Sequence, residues 1–445
     1  MKKLIAVSLA LSSVAAFAET MVSDVIVRQQ WPWTNKVNID FIVGNSTGAL
    51  SQVSMAAYAG DTLLGYIPPA KCTGDTMITS DGLKRIVFDP TGVEFLAQKG
   101  VMNNFRIDVA IRDTPEEEIL YKIYDLTKSA GEAGQVTCVT EFDLTNGVYG
   151  AWERNYWGDD MAQTVIWTGV TQNDEYKTTK IVMRRIPAGP VTVGTPATSG
   201  ARYSADCDPT TVTISEPYYM AVFETTEAQG SWFINAETKS TSTKPETGKY
   251  YAHNTGTRAL RNRAALGTTS CWPEVKEVYS PGTAAWRPTL DLLRRRTGIP
   301  FDLPTEAQWE KAARAGSTGI YYSSNSLEPN ATELSKLAWT SDNEQSIHAV
   351  GLKKPNAYGL YDVLGNATEY VLDWYKSGYA PEQEIDPVGP ASAPTTDGYK
   401  LLKGYSMIDY TAKAGSNNIH LGGRKSIKYT TNNTQHGYRL CCPAK

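Results

Sequence analysis

Hydrophobic and polar residues alternate in short runs through the first third of the chain. One run places Ile39, Phe41 and Val43 at every second position, and residues 105–111 repeat the pattern. Alternation with a period of two is typical of strands that bury one face, and turn-forming residues separate the runs. The pattern predicts a β-sandwich of the immunoglobulin-like type over residues 19–113.

The pattern changes after this region. Residues 114–163 have a turn-prone, acidic start and a glycine-containing flexible run, which indicate a linker or connector. Residues 164–445 combine short strand patterns with long polar loops. The clearest helix begins after Thr305, which forms a capping box with Gln308, and it ends at Gly316.

The first residues are typical of a targeting segment. Lys2 and Lys3 precede an apolar stretch at 4–14, and residues 16–18 (AFA) fit a small-x-small cleavage site. We therefore expect residues 1–18 to be a bacterial-type signal peptide and the mature protein to be exported to the periplasm, the cell surface or the medium. No integral membrane segment is expected, because no run approaches roughly 18 consecutive apolar residues.

Charge and cysteine content narrow the possible partners and chemistry. The net charge is −4 and no basic stripe is present, so nucleic acid is not expected as a partner. Six cysteines in an exported chain can form disulfides, in any of about 15 pairings. Cys441 and Cys442 are adjacent, and on a strand their side chains would point to opposite faces. A strained vicinal disulfide with redox activity is the alternative.

Residues 356–375, NAYGLYDVLGNATEYVLDWY, combine turn formers, carboxylates and glycines. Asp362 and Glu369 could offer side-chain oxygens, and Gly365 exposes backbone carbonyls, to a hard cation such as calcium. The alternative is a tight turn in which Asn366 adopts the left-handed conformation and Glu369 accepts a backbone hydrogen bond.

This stretch resembles the GLYDMxGNVWEWxxDWY signature of the formylglycine-generating enzyme family, also called sulfatase-modifying factors. Other segments resemble family motifs in the same order: MRRIPAGPVTVG at 183–194, LPTEAQWEKAARAG at 303–316 and GYRL at 437–440. The resemblance covers about residues 180–442. It implies a loop-rich C-type-lectin-like fold, so that the whole protein is expected to be α+β.

The resemblance also implies which residues hold calcium. They are the side chains of Asp362 and Glu369 and the backbone carbonyls of Gly365 and Ala367. Calcium is therefore the cofactor that we expect, whereas copper and iron are not expected.

Family members that oxidise a sulfatase cysteine carry two copper-binding cysteines after a GGS motif. The resemblance aligns Asp409 with the first of these cysteines and Ala414 with the second, so neither thiol is present. A carboxylate and a methyl group do not hold soft copper(I). We therefore expect a non-catalytic protein. The alternatives are an oxidoreductase with a rearranged metal or cysteine centre and a structural cell-envelope component.

The expected role is a ligand-binding or scaffold module on a calcium-stiffened fold. The related variable proteins of diversity-generating retroelements use this fold to display binding residues near the C terminus. Aromatic and polar side chains on the equivalent surface could bind a glycan or a peptide, and a solvated loop without a ligand is the alternative. The surface would comprise Tyr405, Asp409, Tyr410, Asn417, Asn418, His420, Arg424 and Tyr429.

Overall fold

A computed structural model gives the fold of the chain, which divides into two compact units, residues 1–113 and 114–445. Each unit is described by itself. The residues that the structure describes are 20–29, 34–46, 51–78, 80–97, 104–112, 116–132, 134–154, 164–202, 207–234, 289–342, 347–377, 384–390, 398–409, 419–428 and 436–444.

The first unit consists of strands and one short helix. These elements are β1 (Met21–Gln29), β2 (Val37–Gly44), β3 (Ser51–Ala59), β4 (Thr62–Tyr66), β5 (Cys72–Gly74), β6 (Met77–Ile78), β7 (Gly82–Phe88), α1 (Glu94–Ala97) and β8 (Phe105–Arg112).

Two antiparallel sheets make up this unit. One has the order β1-β2-β7-β5, and in the other β3 pairs with β4, β6 and β8. The alternation in β2 buries Ile39 and Phe41, which join Val53 and Met55 of β3 in one hydrophobic cluster. The two sheets thus share a core, and the immunoglobulin-like arrangement of their strands stays a prediction.

The second unit mixes strands with short helices. Its strands are β9 (Ile119–Asp125), β10 (Val136–Thr140), β11 (Glu153–Arg154), β12 (Val165–Ile166), β13 (Lys180–Ile186), β14 (Gly189–Val193), β15 (Thr210–Ile214), β16 (Tyr218–Ala221), β17 (Thr368–Trp374), β18 (Tyr399–Lys403), β19 (Lys425–Lys428), β20 (His436–Tyr438) and β21 (Cys441–Pro443). Its helices are α2 (Glu141–Thr145), α3 (Glu175–Thr178), α4 (Glu227–Ile234), α5 (Thr289–Thr297), α6 (Glu306–Arg314) and α7 (Ala331–Leu337).

The stretch that we expected to be a connector belongs to the core of the second unit. Strands β9 and β10 are part of a five-stranded sheet with the order β10-β9-β13-β16-β21. Tyr121 of β9 and Val139 of β10 are buried, and Tyr121 packs edge-on against Trp167 at 5.6 Å between ring centroids. The polar turns around these strands made the stretch look like a linker, although its apolar side chains complete the sheet.

A second sheet, with the order β19-β18-β17-β20, positions the residues that carry the candidate chemistry. Helix α6 packs beside it and has the predicted capping box: Gln308 N donates to Thr305 Oγ1, and Thr305 N donates to Gln308 Oε1. Trp309 and Ala312 of α6 face the core. Among the described residues, no helix is long and apolar enough to span a membrane.

Candidate functional site

The turn before β17 has the left-handed Asn366 that the tight-turn interpretation expects. The expected backbone hydrogen bond to the Glu369 carboxylate is not seen among the described residues, where this carboxylate accepts from the side chains of Arg439 and Trp309. Asn366 is left-handed, with φ of 55°. Its backbone N donates to Trp339 O at 3.0 Å, its Oδ1 accepts from His348 N at 2.9 Å, and its Nδ2 donates to Glu224 Oε2 at 2.6 Å. Asn366 therefore joins three segments that are distant in the sequence.

Glu369 of β17 forms a buried ion pair with Arg439, which directly follows β20. Arg439 Nη2 lies 2.7 Å and Nε 3.0 Å from Glu369 Oε1, and Trp309 Nε1 donates to Glu369 Oε2 at 2.6 Å. Arg439 also donates to the carbonyl oxygens of Val222 and Tyr361 at 3.0 and 2.8 Å. The parallel pairing of β17 with β20 brings the two charged residues together.

Two further buried carboxylates lie beside this ion pair. Glu224 Oε1 accepts from Ala367 N at 3.0 Å, and burial together with the negative charges of Asp362 and Glu369 raises the pKa of Glu224 well above its ordinary value. Asp362 Oδ2 accepts from Gly351 N at 2.7 Å, whereas its buried Oδ1 has no hydrogen-bond partner in the described part of the chain. Burial raises the pKa of Asp362 to about 6.

These three carboxylates and Arg439 form what we term the acidic cluster: Glu224, Asp362, Glu369 and Arg439. Among these four residues three carboxylates face one guanidinium, and the ammonium groups of Lys177 and Lys353 also act on Asp362. Asp362 Oδ1, which has no hydrogen-bond partner among the described residues, is an oxygen that a cation could bind. Within the described residues no three His, Cys, Asp or Glu side chains form a metal-binding group. The predicted calcium site would use two side chains and two carbonyls, and it stays a prediction.

A second buried cluster surrounds α6, and sequence reasoning missed most of it. Glu310 pairs with Lys403 at 2.9 Å and Arg314 at 2.7 Å, and Glu306 pairs with Arg424 at 2.8 Å. Although burial alone would raise the pKa of Glu310, Lys403 and Arg314 hold it below its ordinary value. We term these five residues the basic cluster, because three cations face two carboxylates.

The sequence did contain a signal for this cluster. Glu306 and Glu310 lie one turn apart on the face of α6 that also carries Trp309, and all three side chains are buried. Two acids on an apolar helical face require buried cations from other segments. Asp373 of β17 lies beside the basic cluster, because its Oδ2 accepts from Glu306 N at 2.7 Å. Burial and the neighbouring Glu306 raise the pKa of Asp373 to about 7.

The predicted ligand surface is not exposed where the structure describes it. Tyr405 is 1 %, His420 0 % and Arg424 4 % exposed. Tyr405 Oη lies 3.4 Å from His420 Nδ1, and Arg424 donates to Glu306, so these side chains pack inward. That part of the prediction was wrong because the partners of these polar residues are internal. Four other predicted residues lie outside the described residues: Tyr410, Asn417, Asn418 and Tyr429.

Asp409, the last described member of that predicted surface, is held by its neighbours. Both of its carboxylate oxygens lie 2.8 Å from Lys425 Nζ, and its Oδ2 also accepts from Ser406 N at 2.8 Å. Ala414, which we aligned with the second family cysteine, lies outside the described residues.

The cysteines that the structure describes are not in disulfides: Cys72, Cys138, Cys207, Cys441 and Cys442. Burial raises the pKa of the Cys442 thiol to about 12, and its Sγ lies 3.9 Å from Tyr124 Oη. Cys441 instead belongs to the main hydrophobic core. The two adjacent side chains therefore have different surroundings, as expected for neighbours on a strand.

Comparison with known proteins identifies relatives of the second unit. The family profile described as "Sulfatase-modifying factor enzyme 1-like domain" matches residues 169–442. Formylglycine-generating enzyme of Mus musculus is 25% identical over 239 residues, which cover 46% of this chain and 62% of that protein. Inactive C-alpha-formylglycine-generating enzyme 2 of Mus musculus is 36% identical over 124 residues, which cover 26% of this chain and 34% of that protein.

Among solved structures, Treponema denticola variable protein 1 is similar to 60% of this chain and 96% of that chain, with a TM-score of 0.42 and 24% identity. The chain spans 26% and 62% of the length of two curated formylglycine-generating enzymes that it matches, those of Bos taurus and Mus musculus.

Proposed function

Because this chain belongs to the family of sulfatase-modifying factor enzyme 1-like domains, we propose that it is a non-catalytic member that works as a binding or scaffold module. Its partner is a glycan, a peptide or another ligand recognised by the loop-rich domain. The names of the inactive formylglycine-generating enzyme 2 relatives are compatible with this reading, although each covers only part of either chain.

The observation that carries the proposal is the environment of Asp409. The family resemblance puts a copper-binding thiol at this position, and here a carboxylate is neutralised by Lys425 and bonded by Ser406. A carboxylate is a hard ligand, and one paired with an ammonium group has little capacity left for a soft metal. The copper chemistry of the family therefore lacks its first ligand.

The remaining described cysteines offer no substitute centre. Burial raises the pKa values of Cys138 and Cys207 to about 11, and those of Cys72 and Cys442 to about 12. A thiol that stays protonated is a poor nucleophile and a poor metal ligand. A protonated Cys442 disfavours an oxidoreductase that needs this thiol as a thiolate.

We propose that calcium stiffens the domain at the acidic cluster. Asp362 and Glu369 would supply carboxylate oxygens, and Gly365 and Ala367 would supply backbone carbonyls. The Glu369 oxygens accept from Arg439 and Trp309, so the ion would have to share them with these donors. The support is the unpartnered Asp362 Oδ1 and the excess of negative charge around Arg439. Removing calcium with a chelator should lower the melting temperature of the purified protein, and metal analysis should find calcium. Stoichiometric copper or iron would contradict this assignment.

We also propose that the protein is exported and that its first unit is an immunoglobulin-like sandwich. The support is the lysine-led apolar start of the sequence and the single hydrophobic core shared by two antiparallel sheets. N-terminal sequencing of protein recovered from a cell envelope or medium fraction tests export, and we expect cleavage after Ala18. Recovery of the uncleaved chain from the cytoplasm would contradict it.

The loss of catalysis is tested directly with a cysteine peptide from a sulfatase. The purified protein, supplied with copper, oxygen and a thiol reductant that provides the two further electrons, should form no aldehyde in the peptide, as measured with a hydrazide reagent. A double variant, Asp409→Cys with Ala414→Cys, restores both thiols and should gain copper(I) affinity. Aldehyde formation by the natural sequence would overturn the proposal.

A further inference from the structure

A cavity of about 380 Å³ lies beside the C-terminal end of α6 and the β14 strand. This volume is within the range of small-molecule sites, which is roughly 300–1,000 Å³. Its walls include Pro190, Pro196, Pro209 and Tyr358, so much of the lining is apolar. None of the described residues that line it is acidic, whereas Lys311 and Arg314 both reach it.

Lys311 is a buried cation that has no carboxylate partner among the residues that the structure describes. Its side chain belongs to a residue that is 8 % exposed, and Nζ donates to the carbonyl oxygens of Gly189 and Pro190 at 3.1 and 3.0 Å. No ion pair includes Lys311 within the described part of the chain. Burial lowers the pKa of Lys311, and an ammonium group has three N–H donors, of which two are used.

The neighbouring charges cannot compensate Lys311. The carboxylate of Glu310 pairs with Lys403 and Arg314, and that of Glu306 pairs with Arg424. Arg314 directs its Nε and Nη2 to Glu310, while other N–H groups bond to Gly194 O and Gly319 O. Among the described residues, the carboxylates of Glu306 and Glu310 are therefore already paired with other cations, and Lys311 is paired with neither of them.

We propose that this cavity binds a small organic anion, a carboxylate on an apolar body, with Lys311 as the partner of the carboxylate. The apolar body would lie against the prolines and Tyr358, and the ion pair would offset the cost of burying Lys311. One surplus charge and mainly apolar walls suit a monoanionic carboxylate better than inorganic phosphate, which needs more donors. The inference names a ligand class for the binding module and in that sense rests on the proposed function.

Phenylacetate is a suitable probe, with phenylacetamide as the neutral analogue and inorganic phosphate as the competing class. We expect calorimetric titration of the full chain to detect phenylacetate and not the amide. Lys311→Met should weaken phenylacetate binding about ten- to hundredfold, the range expected for one charged hydrogen-bonded contact. Lys311→Arg should keep most of the affinity because it keeps the charge.

Two further variants keep the test decisive if Lys311→Met does not fold. Thr318 is exposed at the cavity, so Thr318→Trp should block the probe while leaving Lys311 in place. Lys336→Met is the control, because Lys336 is half-exposed on α7 and pairs with Glu333 outside the cavity. This control should bind phenylacetate as the natural sequence does.

Several results would overturn the inference. They are no detectable phenylacetate binding, equal binding of acid and amide, unchanged binding in folded Lys311→Met or Thr318→Trp protein, and a preference for phosphate. The peptide oxidation assay fails or succeeds independently of these titrations. Aldehyde formation with no probe binding would remove both proposals, whereas no aldehyde and no probe binding would remove only the ligand class.

Discussion

The two buried charge clusters of the second unit are unbalanced in opposite directions. The acidic cluster has three carboxylates around Arg439, with Lys177 acting on Asp362 from outside the cluster. The basic cluster has three cations around Glu306 and Glu310, with Asp373 beside Glu306. Lys311 lies beyond the basic cluster and has no carboxylate partner among the described residues. An excess of one sign in a protein interior costs free energy unless something of the opposite sign binds or the groups change protonation. The comparison thus suggests a cation at one cluster and an anion beside the other.

Trp309 lies between the two clusters. Its Nε1 donates to Glu369 of the acidic cluster, and Lys403 Nζ of the basic cluster lies 5.6 Å from the centroid of its ring system. One side chain of α6 therefore separates regions of opposite excess charge.

The largest expected effect comes from removing a carboxylate where cations are already in excess. Glu310→Gln leaves Lys403 and Arg314 without their main counter-charge and should lower the free energy of unfolding by about 3–5 kcal/mol. Urea unfolding measures this loss. Glu333→Gln, in the surface pair with Lys336, is the matched control and should change it by less than about 1 kcal/mol. Equal losses would mean that the basic cluster is not unbalanced.

Removing the hydrogen bond between Trp309 and Glu369 should have the next largest effect. Trp309→Phe takes one donor away from a buried carboxylate, so we expect a loss of about 2–3 kcal/mol in the same measurement. Trp152→Phe, at a partly exposed tryptophan, should change the free energy of unfolding by about 0.5 kcal/mol or less. A Trp309→Phe protein as stable as the natural one would show that Glu369 does not depend on this donor.

Removing a carboxylate from the acidic cluster should raise the free energy of unfolding rather than lower it. Asp362→Asn keeps an oxygen that can accept from Gly351 N and removes a charge whose burial raises the pKa of Asp362 to about 6. In chelator the variant should be about 1–2 kcal/mol more stable than the natural protein at pH 8. In excess calcium it should be the less stable of the two. Destabilisation in chelator as well would contradict the excess of negative charge.

The last prediction is a dependence of stability on pH at Asp373, which Glu306, Lys400 and Arg424 surround. Its folded-state pKa of about 7 exceeds the ordinary value of 3.8, so the folded protein binds more protons between these values. Stability from this group is therefore lost as pH rises through that window, by at most about 1.4 kcal/mol per pH unit. The free energy of unfolding, measured at several values from pH 5 to 8, should depend less on pH for Asp373→Asn than for the natural protein. If the free energies of unfolding of the two proteins depended on pH in the same way, Asp373 would not be the source of this dependence.

Local interactions made parts of this molecule predictable. The capping box of Thr305 and Gln308, the left-handed Asn366 and the buried alternation in β2 each depend on residues close together in the sequence. The partners of the charged groups do not. Glu369 and Arg439 are 70 positions apart, and Glu310 and Lys403 are 93 apart.

The expectation of an exposed ligand surface was also wrong because the partners of its polar residues lie far away in the sequence. Tyr405, His420 and Arg424 are polar residues in or near loops, which usually indicates exposure. Here α6 supplies Glu306 as the partner of Arg424, and Tyr405 and His420 pack against each other. Periodicity and turn chemistry indicate which face of an element is buried. They do not indicate which distant residue pairs with a buried charge.

The position of Arg439 along the chain has a consequence for folding. The three carboxylates of the acidic cluster are all synthesised before the guanidinium that neutralises them, and β21, which pairs with β16, follows directly after it. Until this segment docks, the core around β17 contains uncompensated charge. The five-stranded sheet of the second unit also lacks its edge strand β21 until then. Contacts between distant segments form slowly, because closing a long loop costs entropy before the contact stabilises anything. We therefore expect docking of the β20–β21 segment to be a late and rate-limiting step, so that the second unit folds only after the whole segment from 436 to 443 is available.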